Sequence, residues 1–176
     1  STTHFFSQTL DHFGDVRNSG ATWRQRCYVD ASFWRGPGAP VFLYIGGEGP
    51  QGPVSPTLFM HTLAQRHGAL MLALEHRFYG ESRPAADLSL QSLALLTSAQ
   101  ALADLATFHA HATAAFGLTA QNKWVSWGGS YPGMLAGWFR VTYPNLVHAA
   151  VASSAPVIAK LDMQEYNDVT AEAYAL

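Results

Sequence analysis

The residues with the clearest chemical potential form one short run, Gly128-Gly129-Ser130-Tyr131-Pro132-Gly133, between an apolar strand segment and a helical one. A serine on a sharp strand-to-helix turn is lifted above the carboxyl ends of the strands, where its hydroxyl can attack a carbonyl carbon. Small neighbours let the strand and helix backbones approach, and the first amides of the helix face the same point. The generic spacing is G-x-S-x-G. Here Pro132 stands two residues after Ser130 and the glycine follows one place later. Proline suits an early helical position, whose N–H has no intrahelical acceptor. A second run, Gly46-Gly47-Glu48-Gly49-Pro50, closes an earlier apolar strand. Acyl-transfer sites of this type take one oxyanion donor from the residue after the nucleophile and another from such a loop. Those donors are the backbone N–H groups of Tyr131 and Gly47. The loop lacks the Gly-Lys-Ser/Thr of a P-loop and the spacing of a dinucleotide fingerprint, so a phosphate cradle is set aside.

A third run, Glu75-His76-Arg77-Phe78-Tyr79-Gly80-Glu81-Ser82, ends another strand. Ligand sites in open α/β sheets lie at such ends. Charged residues there predict a buried ion-pair network, with Glu48, Glu75, Arg77 and Tyr79 supporting the site. His76 is a candidate base, discounted because the histidine of a serine triad on this architecture comes last in the chain. Ser153-Ser154 follows a strand without flanking glycines and reads as a packed turn. No metal or cofactor site is expected. His109 and His111 do not share a helix face, and no HExxH spacing occurs.

The elements that must position these runs follow from periodicity. Phe5 to Phe13 and Trp23 to Val29 read as strands of an antiparallel hairpin, joined by a polar turn over 14–20. Pro40 to Ile45, Ala69 to Leu74, Lys123 to Trp127 and His148 to Ala152 are short runs without polar alternation, as in strands covered on both faces. Helices are predicted over Leu58 to Arg66, Leu88 to Phe116 with Gly117 as its stop, and Met134 to Tyr143. Strands alternating with helices give an α/β fold with a mostly parallel sheet.

The chain has 176 residues with 10 Lys+Arg against 12 Asp+Glu, a formal net charge of −2. Hydrophobic residues make up 48% and charged residues 12%, about half the usual ~25%. Disorder needs the opposite balance, and nucleic-acid binding needs a basic excess. No apolar run approaches the ~18 residues of a membrane span. The single cysteine, Cys27, is either a buried apolar residue or the partner of a cysteine elsewhere.

Together these runs resemble the peptidase S28 family, the Pro-X carboxypeptidase and dipeptidyl peptidase II group, and most of all its thymus-specific serine protease-like branch. The matching segments are Phe6-Ser7-Gln8-Thr9-Leu10-Asp11-His12-Phe13, Arg24-Gln25-Arg26, Gly46 to Gly49, Glu75 to Gly80, Gly128 to Tyr131, Ser153-Ser154-Ala155-Pro156-Val157 and Tyr166-Asn167-Asp168-Val169. The resemblance implies an α/β-hydrolase core interrupted by a helical insertion, and Ser130 as nucleophile. It also implies a serine exopeptidase acting next to proline on peptide substrates in the secretory or endolysosomal pathway, with a homodimer of the full-length protein open. Triads on this fold run Ser, Asp, His, and the chain reaches only Leu176. Residues 1–176 are therefore expected to be the N-terminal part of a catalytic domain, inactive alone, with the Asp and His beyond it. The elbow by itself also admits an esterase or lipase, or an inactive hydrolase-like binding module.

Overall fold

The computed structural model describes residues 1–14 and 20–175. Most of the polar turn expected over 14–20 lies outside the described residues. The elements run β1 (Thr2–Thr9), β2 (Thr22–Asp30), β3 (Val41–Ile45), α1 (Phe59–His67), β4 (Leu70–Leu74), α2 (Leu90–Leu93), α3 (Ser98–Phe116), β5 (Trp124–Gly129), α4 (Tyr131–Thr142), β6 (Ala149–Ser153) and α5 (Gln164–Tyr174). Six strands form one sheet in the order β1-β2-β4-β3-β5-β6. β1 and β2 pair antiparallel as expected, with Phe6 opposite Gln25, and β2 pairs antiparallel with β4. From β4 onward every pairing is parallel.

The unbroken apolar runs of β3 and β4 reflect burial on both faces. Val41, Leu43, Ile45, Leu70, Leu72 and Leu74 turn to one side and meet Leu105 and Phe108 of α3 and Leu135 and Phe139 of α4. Phe42, Met71 and Ala73 turn to the other and meet Met60 and Ala64 of α1. Period-two alternation thus divides one strand between two apolar layers. Cys27 lies in the first layer at 2% exposure, and burial pushes its thiol up to about 12, as in an inert buried cysteine.

Three boundaries differ from expectation. The single helix expected over Leu88 to Phe116 is two, because Thr97 is extended (φ −133°, ψ 153°) and its hydroxyl caps α3 by accepting the Gln100 N–H at 3.1 Å. In a closed capping box the Gln100 side chain would return to Thr97. Here its Oε1 accepts the His12 N–H at 3.0 Å instead. α4 starts at Tyr131 rather than Met134, since Pro132 occupies its first turn without needing an acceptor. α5, whose residues are solvent-exposed, was not anticipated: its polar sequence carries no buried stripe to signal it. Gly117 does end α3, in the left-handed conformation (φ 59°) that glycine adopts without a Cβ clash. Among the described residues no helix is long and apolar enough to cross a membrane.

Candidate active site

The glycine-flanked serine sits where β5 gives way to α4. Ser130 has φ 60° and ψ −127°, a conformation that costs a side-chain-bearing residue of order 1–3 kcal/mol and persists only where the surroundings enforce it. Two backbone bonds hold the corner: the Ser130 N–H donates to the Ser153 carbonyl at 3.0 Å, and the Met134 N–H donates to the Ser130 carbonyl at 3.1 Å. The glycines are demanded by proximity. A Cβ on Gly128 would collide with the Pro132 carbonyl, and one on Gly133 would press on the Ser153 carbonyl. The glycine displaced from the usual spacing is therefore the one that lets α4 settle against β6. Ser130 itself is solvent-exposed.

The second glycine run reaches the same corner. The Gly46 N–H donates to the Leu74 carbonyl at 2.9 Å, anchoring the loop beside β4. One residue on, Gly47 lies so close to the Pro132 ring that a Cβ there would overlap it. Pro132, the residue that departs from the generic elbow, is thus the surface on which the Gly46–Gly49 loop rests. Glu48 is exposed and lines an open cleft of about 350 Å³ together with His76, Tyr79, Ser98, Tyr131 and Met134. It stands apart from the buried ion pairs of the neighbouring strand end.

Those ion pairs form at the end of β4. Glu75 is fully buried, and both carboxylate oxygens are saturated. Oε1 accepts Arg26 Nη2 at 2.5 Å and the Gln51 N–H at 3.0 Å; Oε2 accepts Arg26 Nε at 3.2 Å, the Glu81 N–H at 3.1 Å and Ser82 Oγ at 2.7 Å. Arg77, also fully buried, grips Asp104 of α3 with Nε and Nη2, each at 2.7 Å, and its Nη1 donates to the Leu95 carbonyl at 2.9 Å. His12 Nε2 completes the cluster at 2.8 Å from Asp104 Oδ1. Deeper still, Gln8 donates to Gln25 at 2.8 Å, and Gln25 donates to the Glu75 carbonyl at 2.8 Å. Each buried charge thus has a partner, the condition for tolerating it away from water. Gln8, His12, Gln25 and Arg26 lay within segments that carry the family resemblance but were given no role, and Asp104 was missed, although it is the one charge within Ala101-Leu102-Ala103-Asp104-Leu105-Ala106.

His76, between these two salt-bridging residues, has a different environment. It is 5% exposed. Its Nδ1 lies 2.8 Å from the Arg77 carbonyl and its Nε2 lies 3.0 Å from the Tyr131 hydroxyl. Burial holds its pKa below the ordinary imidazole value, against the opposing pull of the Arg77 carbonyl, and raises that of the Tyr131 phenol. Tyr79 packs edge-on to the His76 ring, centroids 5.4 Å apart. Ser153 and Ser154 are not the packed turn expected: Ser153 ends β6, only Ser154 lies in a turn, at φ 48°, and both are exposed. Only the Ser153 carbonyl is engaged with the elbow. No group of three or more metal-ligating side chains is assembled among the described residues.

Solved structures share this architecture. A thioesterase domain from the curacin biosynthetic pathway superposes with a TM-score of 0.56 at 17% identity, covering 99% of this chain and 52% of that one. A prolyl endopeptidase superposes at 0.56 with 15% identity, covering 85% and 20%. The fold is that of the α/β-hydrolases. By sequence, the chain is 42% identical to the human thymus-specific serine protease over 171 residues, covering 96% of this chain and 33% of the relative. It is 40% identical to the human lysosomal Pro-X carboxypeptidase over 157 residues, covering 87% and 31%. The chain thus spans about a third of the length of the curated relatives it matches. The family described as serine carboxypeptidase S28 matches residues 8–176, and the chain belongs to that family.

Proposed function

We propose that this chain carries the nucleophile and oxyanion hole of a serine exopeptidase that cleaves peptide bonds next to proline. The observation that carries the reading is the strained backbone of an exposed Ser130, held at a strand–helix corner with the Gly47 loop packed against the same turn. Ser130 Oγ attacks the scissile carbonyl, transferring its proton to a histidine that an aspartate orients. The oxyanion of the tetrahedral intermediate is met by the Tyr131 and Gly47 N–H groups, and loss of one such donor costs roughly 2.7–4 kcal/mol of transition-state stabilisation. The histidine and aspartate belong to the part of its relatives' length that this chain does not span. Residues 1–176 alone are accordingly inactive. Glu75, Arg77 and Tyr79 brace the corner, while Glu48 faces the substrate cleft. The lysosomal relative supports a secretory or lysosomal route.

The test is fluorophosphonate labelling of this chain and of a form extended to the length of its relatives, each beside a Ser130→Ala control. Labelling of the extended form alone, through Ser130 alone, is the expected outcome. An extended form that stays unlabelled makes Ser130 a structural residue and the protein a hydrolase-like binding module. Turnover of simple acyl esters with no cleavage of proline-containing peptides by the extended form would mark an esterase instead.

A further inference from the structure

His76 is buried beside the elbow and has no task in the acyl-transfer steps. We propose that His76 is a positioning residue for the oxyanion hole: by accepting the Tyr131 hydroxyl it fixes the Ser130–Tyr131 peptide whose N–H is aimed at the developing charge. The inference rests on the nucleophile reading and adds a second residue to it.

The proton on the imidazole is fixed by its two neighbours. The Arg77 carbonyl can only accept, so His76 Nδ1, 2.8 Å away, carries the hydrogen. Burial keeps the ring neutral, leaving Nε2 with a bare lone pair. At 3.0 Å the Tyr131 hydroxyl donates into it. The Ser98 hydroxyl lies 3.5 Å from the phenol oxygen on the far side. The imidazole and phenol rings lie beside each other, centroids 5.5 Å apart. Tyr131 is therefore tied at its far end, while its backbone is the first residue of α4 after the strained serine.

His76 is itself anchored to a braced neighbour. The backbone that supplies its Nδ1 acceptor belongs to Arg77, whose guanidinium is clamped on Asp104 by two 2.7 Å bonds. A connected path thus runs from Asp104 in α3 through Arg77 and His76 to the Tyr131 ring. Its end point is the one peptide unit that both follows the positive-φ residue and supplies an oxyanion donor. A strained peptide has no deep local minimum of its own, so its orientation depends on external restraints. Because a misplacement of about 1 Å at such a site can cost 10²-fold, a side-chain tether there has kinetic consequences.

The experiment uses the form extended to the length of its relatives and reads fluorophosphonate inactivation, separating kinact from KI. The forms compared are the parent, Tyr131→Phe, His76→Ala, the double variant and His76→Gln, whose amide oxygen can accept the tyrosine hydroxyl. Each of the first two single variants is expected to lower kinact about tenfold to a hundredfold with KI unchanged. The double variant should fall no further than the worse single one, and His76→Gln should recover most of the loss. Tyr131→Phe keeps the ring and the backbone N–H, so it reports even where His76→Ala fails to fold. Parent-like kinact in Tyr131→Phe, additive losses in the double variant, or a His76→Gln as slow as His76→Ala each overturn the assignment. A parent that does not label through Ser130 overturns the nucleophile reading and this inference with it. A labelled parent with unaltered variants overturns this inference alone.

Discussion

The ends of β4 and β5 flank β3 in the sheet, yet they are stabilised in opposite ways. At the end of β4 the backbone is fixed by buried charges with full partner sets: five donors on the Glu75 carboxylate, and a two-bond grip of Arg77 on Asp104. At the end of β5 the elbow residues Gly128 to Gly133 carry no charge. The corner is held by close backbone packing, and its central residue has an unfavourable conformation. Position is therefore secured at β4, and strain is held at β5, with Pro132 and Gly47 in contact between them. The contrast separates two kinds of polar residue that a sequence presents identically. Ionisable residues at a strand end can be scaffold, while the proposed reactive group is a neutral serine on a strained turn.

Removing a charge at β4 should have the largest effect. Asp104→Ala leaves the Arg77 guanidinium buried and unpaired, and is expected to cost about 3–5 kcal/mol of folding stability. Denaturant unfolding would measure it, and a loss below ~1 kcal/mol would show that water or a rearranged neighbour replaces the carboxylate. At β5 the sign reverses. Ser130→Gly and Ser130→Ala both remove the hydroxyl, but only glycine relieves the positive φ. The glycine variant should therefore be the more stable by about 1–2 kcal/mol. Equal stabilities would mean that the corner stores no strain.

The smallest effect concerns buried imidazoles. Burial depresses the pKa of both His76 and His109 in the folded state. Below about 6.5, the ordinary value of an exposed imidazole, the unfolded chain then binds protons that the folded one does not. Stability should fall as pH drops from about 6.5 toward the folded-state values, and level off for these groups below them. The slope is at most about 1.4 kcal/mol per pH unit for each imidazole. Melting temperatures measured between pH 7.5 and 5 would show this, with His109→Gln flattening the curve. A curve that keeps its slope in that variant would assign the dependence to other groups.

Much of the frame was legible from the residues because its signals are local. The apolar runs of β3 and β4, the glycine after Phe116 and the elbow around Ser130 are each read within a few positions. What escaped is what depends on a distant partner. Nothing near Glu75 announces Arg26, and nothing near Arg77 announces Asp104. The break at Thr97 was hidden because the apolar spacing runs across it, and because Gln100, the other half of its cap, is diverted to His12. Pro132 looked like a departure from the elbow pattern until its contact with Gly47 gave it a place.

The N-terminal hairpin has a consequence for the order of folding. β1 and β2 leave the ribosome before the helices and parallel strands that follow them. Yet some partners of β1 and of the segment just after it arrive late: the His12 ring meets Asp104, 92 residues on. The Gln8 amide likewise meets the Asp104 carbonyl across 96 residues. Contacts of such separation slow folding, because the chain must close long loops before they form. Until α3 is in place the hairpin therefore carries unmet polar groups beside an open strand edge, a combination that favours pairing with other chains.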